Sequence, residues 1–205
     1  MTGRFISLEG GEGVGKSTQL KRLAEAIRRR GYNVVETREP GGSAGAEAIR
    51  SLLLDGSDDR WSPEAEALLF AAARTDHVDK LIRPAVHSGE WVVCDRFVDS
   101  SLAYQGGAGD LGIEAVRWIN SFGIGEWFPD RTLVLMVPDG AERARARDGT
   151  ESDRIGGRPR AYHEAVEASF RMIAAEEPDR VRLVDATGSR EQVTARLVKA
   201  IEDLL

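Results

Sequence analysis

The stretch Phe5–Leu20, "FISLEGGEGVGKSTQL", decides the fold. Its opening, within "RFISLE" (Arg4–Glu9), is short and apolar like a strand, and an amphipathic segment with helical period follows the glycines. The junction matches G-x-x-x-x-G-K-[ST] at Gly10, Gly15, Lys16 and Ser17. A glycine loop between strand and helix turns successive backbone N–H groups around a β-phosphate, and the helix N-terminus adds its positive end. Gly10, Gly11, Glu12, Gly13, Val14, Gly15, Lys16, Ser17 and Thr18 are therefore the expected cradle of a nucleoside triphosphate. Lys16 is placed for the β/γ oxygens and the Ser17 hydroxyl for Mg²⁺. Glu12 sits inside this cradle and repels a phosphate unless it contacts a sugar hydroxyl or a metal-bound water. Glu9 reads either as a solvated carboxylate at the strand end or as part of the site.

Working outward, four more short runs rich in branched residues read as strands: Asn33–Arg38, Trp91–Asp95, Thr132–Val137 and Arg180–Asp185. Helical patterns separate them at Ser17–Arg30, Ala44–Leu54, Pro63–Ser88, Gly112–Phe122, Gly140–Arg147, Arg160–Ala175 and Ser189–Leu204. Alternation of strand and helix predicts an α/β fold, a parallel sheet between helices. The segment Asp148–Pro159, "DGTESDRIGGRP", is dense in glycine and charge and suits a flap over a cleft. The basic run Arg28–Arg30 complements the negative end of its helix rather than touching ligand.

With 205 residues the chain suits one compact domain. A formal charge of −6 argues against a protein that wraps nucleic acid or lies on anionic lipid. No apolar run is long enough to span a membrane, and no basic-then-apolar segment precedes the loop as a signal peptide would. Cys94 is the only cysteine, so no intrachain disulfide forms and a cytoplasmic location fits. That thiol reads as core rather than nucleophile. His77, His87 and His163 show no metal-ligand spacing.

Asp95 ends "WVVCD", the position from which an open α/β sheet presents residues to its crevice. It reads as the acid that holds the Mg²⁺ shell, or as a cap of the next helix. The absence of N-K-x-D argues against a GTPase. The acceptor is sought in two other stretches. In "LLFAAARTDHV", Phe70 and Arg74 share a helix face, a ring to stack on a base beside a guanidinium for a base carbonyl or phosphate. The plainer reading is a core Phe beside a surface Arg. In "DRFVDSSLAYQGG", Arg96 follows Asp95, and Ser101 and Gln105 are again four apart. A glutamine there suits a base edge or open solvent equally.

These stretches, with "TREPGG" (Thr37–Gly42) and "RARARDGTESDRI" (Arg143–Ile155), occur in one order nearly end to end, and the chain resembles the bacterial thymidylate kinase family. The resemblance implies a P-loop nucleoside monophosphate kinase fold with a five-stranded parallel sheet, a lid at about 141–160, and a homodimer. It implies transfer of the γ-phosphate of ATP to dTMP, with Mg²⁺. Phe70 is expected to stack on thymine, Arg74 and Gln105 to read its polar edge, and Ser101 to lie beside it. Arg96 and Arg38 are expected at the acceptor phosphate, with Pro40 stiffening the loop. Glu12 is expected near the dTMP sugar and the metal-bound waters. The family's bacterial type places its catalytic arginines in the lid, here Arg154 and Arg147, with Arg143 over the adenine. The chain departs from the family pattern at Gly156 and Gly157, and at Phe170, where many members carry a tyrosine facing the nucleotide.

Overall fold

A computed structural model describes residues 3–57, 59–137 and 157–205. Five strands form one parallel sheet: β1 (Phe5–Gly10), β2 (Val34–Arg38), β3 (Trp91–Asp95), β4 (Arg131–Met136) and β5 (Val181–Asp185). Their order across the sheet is β2-β3-β1-β4-β5. Chain direction of travel reverses at β1, so β1 ends in the crevice where such sheets bind ligands. Every residue of β1 is buried, as a strand covered on both faces requires. Phe5 belongs to one core cluster with Phe97, Leu102, Val134 and Phe170. Ile6 and Leu8 belong to a second cluster with Leu23, Ile27, Leu133 and Leu197.

Eight α-helices are seen among the described residues: α1 (Lys16–Arg28), α2 (Ala44–Leu54), α3 (Pro63–His77), α4 (Arg83–His87), α5 (Val98–Ser101), α6 (Ile113–Ile124), α7 (Arg160–Glu176) and α8 (Arg190–Ala200). Ser43 caps α2 and Ser62 caps α3, each accepting a bond from the backbone three residues on, and Ser189 with Gln192 forms a capping box on α8. At α1 the capping position is Gly15, with no side-chain cap. Its first N–H groups are thereby kept for a ligand.

Two features differ from the sequence expectation. The single helix expected over Pro63–Ser88 is divided, with a π-helical turn at Val78–Ile82 between α3 and α4. Pro84 lies in the first turn of α4 and has no N–H to give to the preceding turn, so the ladder changes its register just before it. Secondly, α5 runs on into a π-helical segment, Leu102–Ala108, that the helical pattern did not include. That segment contains Gly106 and Gly107, and its residues are held by packing rather than by propensity. The helix pattern at Gly140–Arg147 lies outside the described residues. Among the described residues no helix is long and apolar enough to cross a membrane.

Candidate active site

At the end of β1 the backbone turns through Gly10, whose φ is 128°. A Cβ there would meet the carbonyl oxygen of Leu135 at 2.5 Å, so only glycine lets the loop leave the sheet. The Lys16 ammonium is folded back on the loop and donates to the carbonyls of Gly10 (3.2 Å) and Gly11 (2.6 Å). Burial, with Arg96 nearby, pushes its pKa down to about 8. The Ser17 hydroxyl donates to Asp95 Oδ2 at 2.9 Å. The other oxygen, Asp95 Oδ1, is buried with no hydrogen-bond partner among the described residues. Asp95 therefore does not cap α5. That orphaned oxygen, with the Ser17 hydroxyl on the same carboxylate, makes an oxygen donor set of the kind Mg²⁺ accepts.

Arg96 takes the left-handed conformation, φ 69°, as the chain leaves β3. This unusual backbone swings its side chain across the phosphate loop. One Nη donates to Gly10 O and Ser100 Oγ, both at 3.1 Å. The other donates to Glu12 Oε1 at 2.5 Å and the Tyr104 hydroxyl at 3.3 Å. The guanidinium also lies over the Tyr104 ring, 5.0 Å from its centre. Burial alone would raise the pKa of Glu12, but Arg96, Lys16 and His163 outweigh it and hold the carboxylate below its usual range.

Glu9 is wholly buried, which excludes the solvated-edge reading. It accepts from the backbone N–H of Phe97 (2.7 Å) and from Ser100 Oγ (2.5 Å), tying the backbone just after Arg96 to β1. Burial, with the charge of Asp99 nearby, pushes its pKa up to about 8. Cys94 is fully buried, and burial with the surrounding carboxylates pushes its thiol pKa well up. It is a core thiol, as expected.

The far end of the cleft is built on α3. Glu66, Phe70 and Arg74 recur every four residues and share one face. Arg74 is a buried cation, not a surface one. Its Nε donates to Glu39 Oε2 at 2.7 Å, one Nη to Ser101 Oγ (3.0 Å) and Asn120 Oδ1 (2.5 Å), and the other to the carbonyl of Phe97 (3.1 Å). That engages four of its five donors, leaving one for a ligand. Glu39 also faces His77 Nδ1 at 3.0 Å, and its bond to Pro40 is cis. Gln105 is buried too, its amide nitrogen donating to Glu66 Oε1 at 3.0 Å. Arg38 stands more open, held by both oxygens of Glu47 at 3.0 and 3.2 Å.

One cleft of about 360 Å³ joins the two ends. Glu12, Gly13, Gly15, Lys16, Ser17, Thr18, Asp95 and Arg96 line it on one side, and Arg38, Phe70, Arg74, Ser101 and Gln105 on the other. Of the loop, Gly11 and Val14 border a second cleft of about 50 Å³ with His163 and Phe170. Phe170 is buried there and stands edge-on to Tyr104, with ring centres 6.5 Å apart. Arg143, Arg147 and Arg154 lie outside the described residues.

Several residues of the site escaped the sequence reading. Glu39 had a signal, standing beside Pro40 in "TREPGG". Asn120 had one as well, since it interrupts the buried stripe Val116–Asn120–Ile124 of α6. Glu66 is one turn before Phe70 on the same face. Tyr104 and Ser100, which hold Arg96, carried no sign beyond their nearness to Gln105.

A phosphate cradle and a pocket with buried polar groups open into one cleft on a five-stranded parallel sheet, which places the protein among the P-loop nucleoside monophosphate kinases. A thymidylate kinase family model matches residues 8–197. The chain is 61% identical over 207 aligned residues to the thymidylate kinase of Rhizorhabdus wittichii, covering all of both chains. It is 47% identical to that of Caulobacter vibrioides, covering 95% of this chain and 94% of the relative. The crystal structure of thymidylate kinase from Ehrlichia chaffeensis superposes with a TM-score of 0.81 at 29% identity, covering 98% of this chain and all of that one. The chain belongs to the thymidylate kinase family, ATP-dependent enzymes that pass the γ-phosphate of ATP to dTMP.

Proposed function

We propose that this transfer takes place in the cleft of about 360 Å³, with the polyphosphate of ATP on the loop Gly10–Thr18 and dTMP at the opposite end. The observation that carries the reading is that Lys16 and Gln105, built on distant elements, line the same cavity. The Phe70 ring offers a stacking face to thymine. Arg74 has one donor to spare for a base carbonyl, and the Ser101 hydroxyl, which accepts from Arg74, keeps its own proton to donate. A ligand phosphate is a stronger partner for a cation than a neutral carbonyl is, so Lys16 exchanges Gly10 and Gly11 for the β/γ oxygens. By the same logic Arg96 and Arg38 take the acceptor phosphate, and Glu12 is released toward the sugar and metal-bound water.

Ser17 and Asp95 are the residues that would hold Mg²⁺, which would neutralise charge on the ATP phosphates. An acceptor phosphate oxygen is already anionic, so no general base is needed to form its bond to the γ-phosphorus as the bond to the β,γ-bridging oxygen breaks. The remaining charge is met from the lid at about 141–160, by Arg154 and Arg147 at the transferring group, with Arg143 over the adenine. The residues 1–205 act as one domain.

A homodimer completes the reading. Leu52 on α2, Leu68 on α3, and Trp118 and Phe122 on α6 expose 41%, 56%, 74% and 94% of their surface, and α3 packs against both α2 and α6. A second copy of the chain is the occupant that covers such a face. A single buried cysteine suits a cytoplasmic enzyme.

The test is phosphoryl transfer from ATP–Mg²⁺ to dTMP, dUMP, ribo-TMP, dCMP, dGMP and AMP, with Gln105→Ala and Arg154→Ala beside the wild type. The expected result is preference for dTMP, weakened in KM by Gln105→Ala and in kcat by Arg154→Ala. Preference for another acceptor overturns the pocket assignment.

A further inference from the structure

Glu66 is a carboxylate bonded to Gln105 of the cleft lining, and neither the phosphate chemistry nor the base stacking uses it. Only 3% of it is exposed. It sits one turn before Phe70 and two before Arg74 on α3, and its partners include Gln105 and Arg158 on distant elements. Gln105 Nε2 donates to Oε1 at 3.0 Å. One Nη of Arg158 reaches both oxygens, at 3.2 and 3.0 Å, while its guanidinium lies over the Tyr162 ring, 4.6 Å from the centre.

A primary amide presents either its NH₂ or its carbonyl to a ligand, and the two ends are nearly equal in shape. A carboxylate only accepts. Glu66 therefore binds the NH₂ end of Gln105 and leaves Oε1 as the end available to the cleft. An acceptor at that place selects a ring N–H. The N3 position of thymine or uracil carries one, whereas N3 of cytosine is an acceptor and opposes Oε1 with a second lone pair. A site that leaves a buried polar group unpaired discriminates strongly.

We propose that Glu66 is a positioning residue that sets base specificity: by locking the amide of Gln105 it makes the pocket read a pyrimidine imide and reject cytosine. Arg158 pairs with the same carboxylate. This inference rests on the assignment of the base to Phe70, Arg74 and Gln105 made above.

The experiment compares wild type, Glu66→Gln, Arg158→Met and Gln105→Ala for dTMP turnover and for competitive inhibition by dCMP. A glutamine at 66 accepts or donates, so Gln105 can turn over. Glu66→Gln is expected to raise the KM for dTMP about tenfold and to narrow the dTMP-to-dCMP ratio by at least about tenfold, the scale of one misplaced hydrogen bond. Its kcat at saturating dTMP and KM for ATP are expected to stay within about twofold, a split that a merely structural role would not give. Arg158→Met is expected to move the ratio by less than about threefold. A Glu66→Gln ratio within about twofold of wild type overturns the proposal. So does an Arg158→Met effect equal to that of Glu66→Gln, which would make Glu66 an anchor for Arg158. If Gln105→Ala leaves the KM for dTMP unchanged, the base assignment itself fails, and the two failures are thereby told apart. Wild type supplies a second reading that does not depend on a variant's folding. An N3-methylated dTMP, unable to donate, is expected to bind at least about tenfold more weakly than dTMP, and equal binding overturns the proposal.

Discussion

Arg96 donates to Glu12 at 2.5 Å across the mouth of the phosphate loop, so the two charges expected to meet ligand are neutralising each other. Glu12 is 41% exposed at its side chain and Arg96 17%, which leaves the pair open to exchange with an incoming phosphate. The contact gives the loop an internal anion beside Arg96, which the proposed acceptor phosphate would have to displace. Arg96→Ala is expected to lower kcat/KM for dTMP by about 10²–10³, the usual size for one lost donor to developing charge. The KM for ATP should change by much less. Steady-state kinetics with each substrate varied in turn checks this, and equal effects on both would place Arg96 on the donor side instead.

Asp95 keeps a buried oxygen without a partner among the described residues, a cost in the folded protein that a metal-bound water would remove. Asp95→Asn is expected to lower turnover by at least about 10²-fold at saturating Mg²⁺, while the melting temperature without nucleotide stays level or rises. Chelation should abolish wild-type transfer and leave that melting temperature unchanged. A fall in stability on Asp95→Asn would show that the carboxylate serves the fold.

Glu9, raised to about 8, gives a pH signature. Between its ordinary value of 4.5 and about 8, the folded chain holds a proton on Glu9 that the unfolded chain has lost. Stability from this group is therefore present below that window and declines as pH rises through it. Glu9→Gln keeps the bond accepted from the Phe97 N–H, places an NH₂ to donate to Ser100 Oγ, and does not titrate. Its unfolding free energy relative to wild type should climb from about pH 5 to pH 8, by on the order of a few kcal/mol. A difference flat in pH would mean that Glu9 is charged in the fold.

Arg74 is held by Glu39, Ser101, Asn120 and the Phe97 carbonyl, and Glu39 is as buried as its partner. Arg74→Leu leaves a buried carboxylate short of its cation and is expected to cost about 3–5 kcal/mol of stability. Adding Glu39→Gln should restore part of that stability but none of the dTMP affinity. Urea unfolding and dTMP binding on the single and double variants separate the two roles. Affinity restored together with stability would make Arg74 structural only.

Trp118 and Phe122 stand on the open face of α6. Replacing both with lysine is expected to convert a dimer of the 22.4 kDa chain to monomer in sedimentation while leaving the monomer folded. A wild type that sediments as monomer at micromolar concentration would remove the dimer from the reading.

What the chain declares locally was legible from it. All five strands fall within about a residue of the runs of branched residues that marked them, because a strand covered on both faces is apolar over consecutive positions. The phosphate loop was legible because Gly10, Gly15, Lys16 and Ser17 work through backbone geometry set within a few residues of each other. Phe70, Arg74, Ser101 and Gln105 were legible as residue types on helix faces. Their surroundings were not. Whether Arg74 lies in solvent or at the centre of a buried network depends on Glu39 and Asn120, 35 and 46 residues away, and Glu9 finds its partners 88 and 91 residues along the chain. The strand order that gathers these groups is set by non-local pairing, and so is the π-helical segment that carries Gln105 to Glu66. Sequence alone determined which chemistry the chain carries. Tertiary structure decided which charges are buried, what neutralises them, and which end of the Gln105 amide Glu66 holds, since desolvation and hydrogen-bond geometry exist only once distant elements pack together.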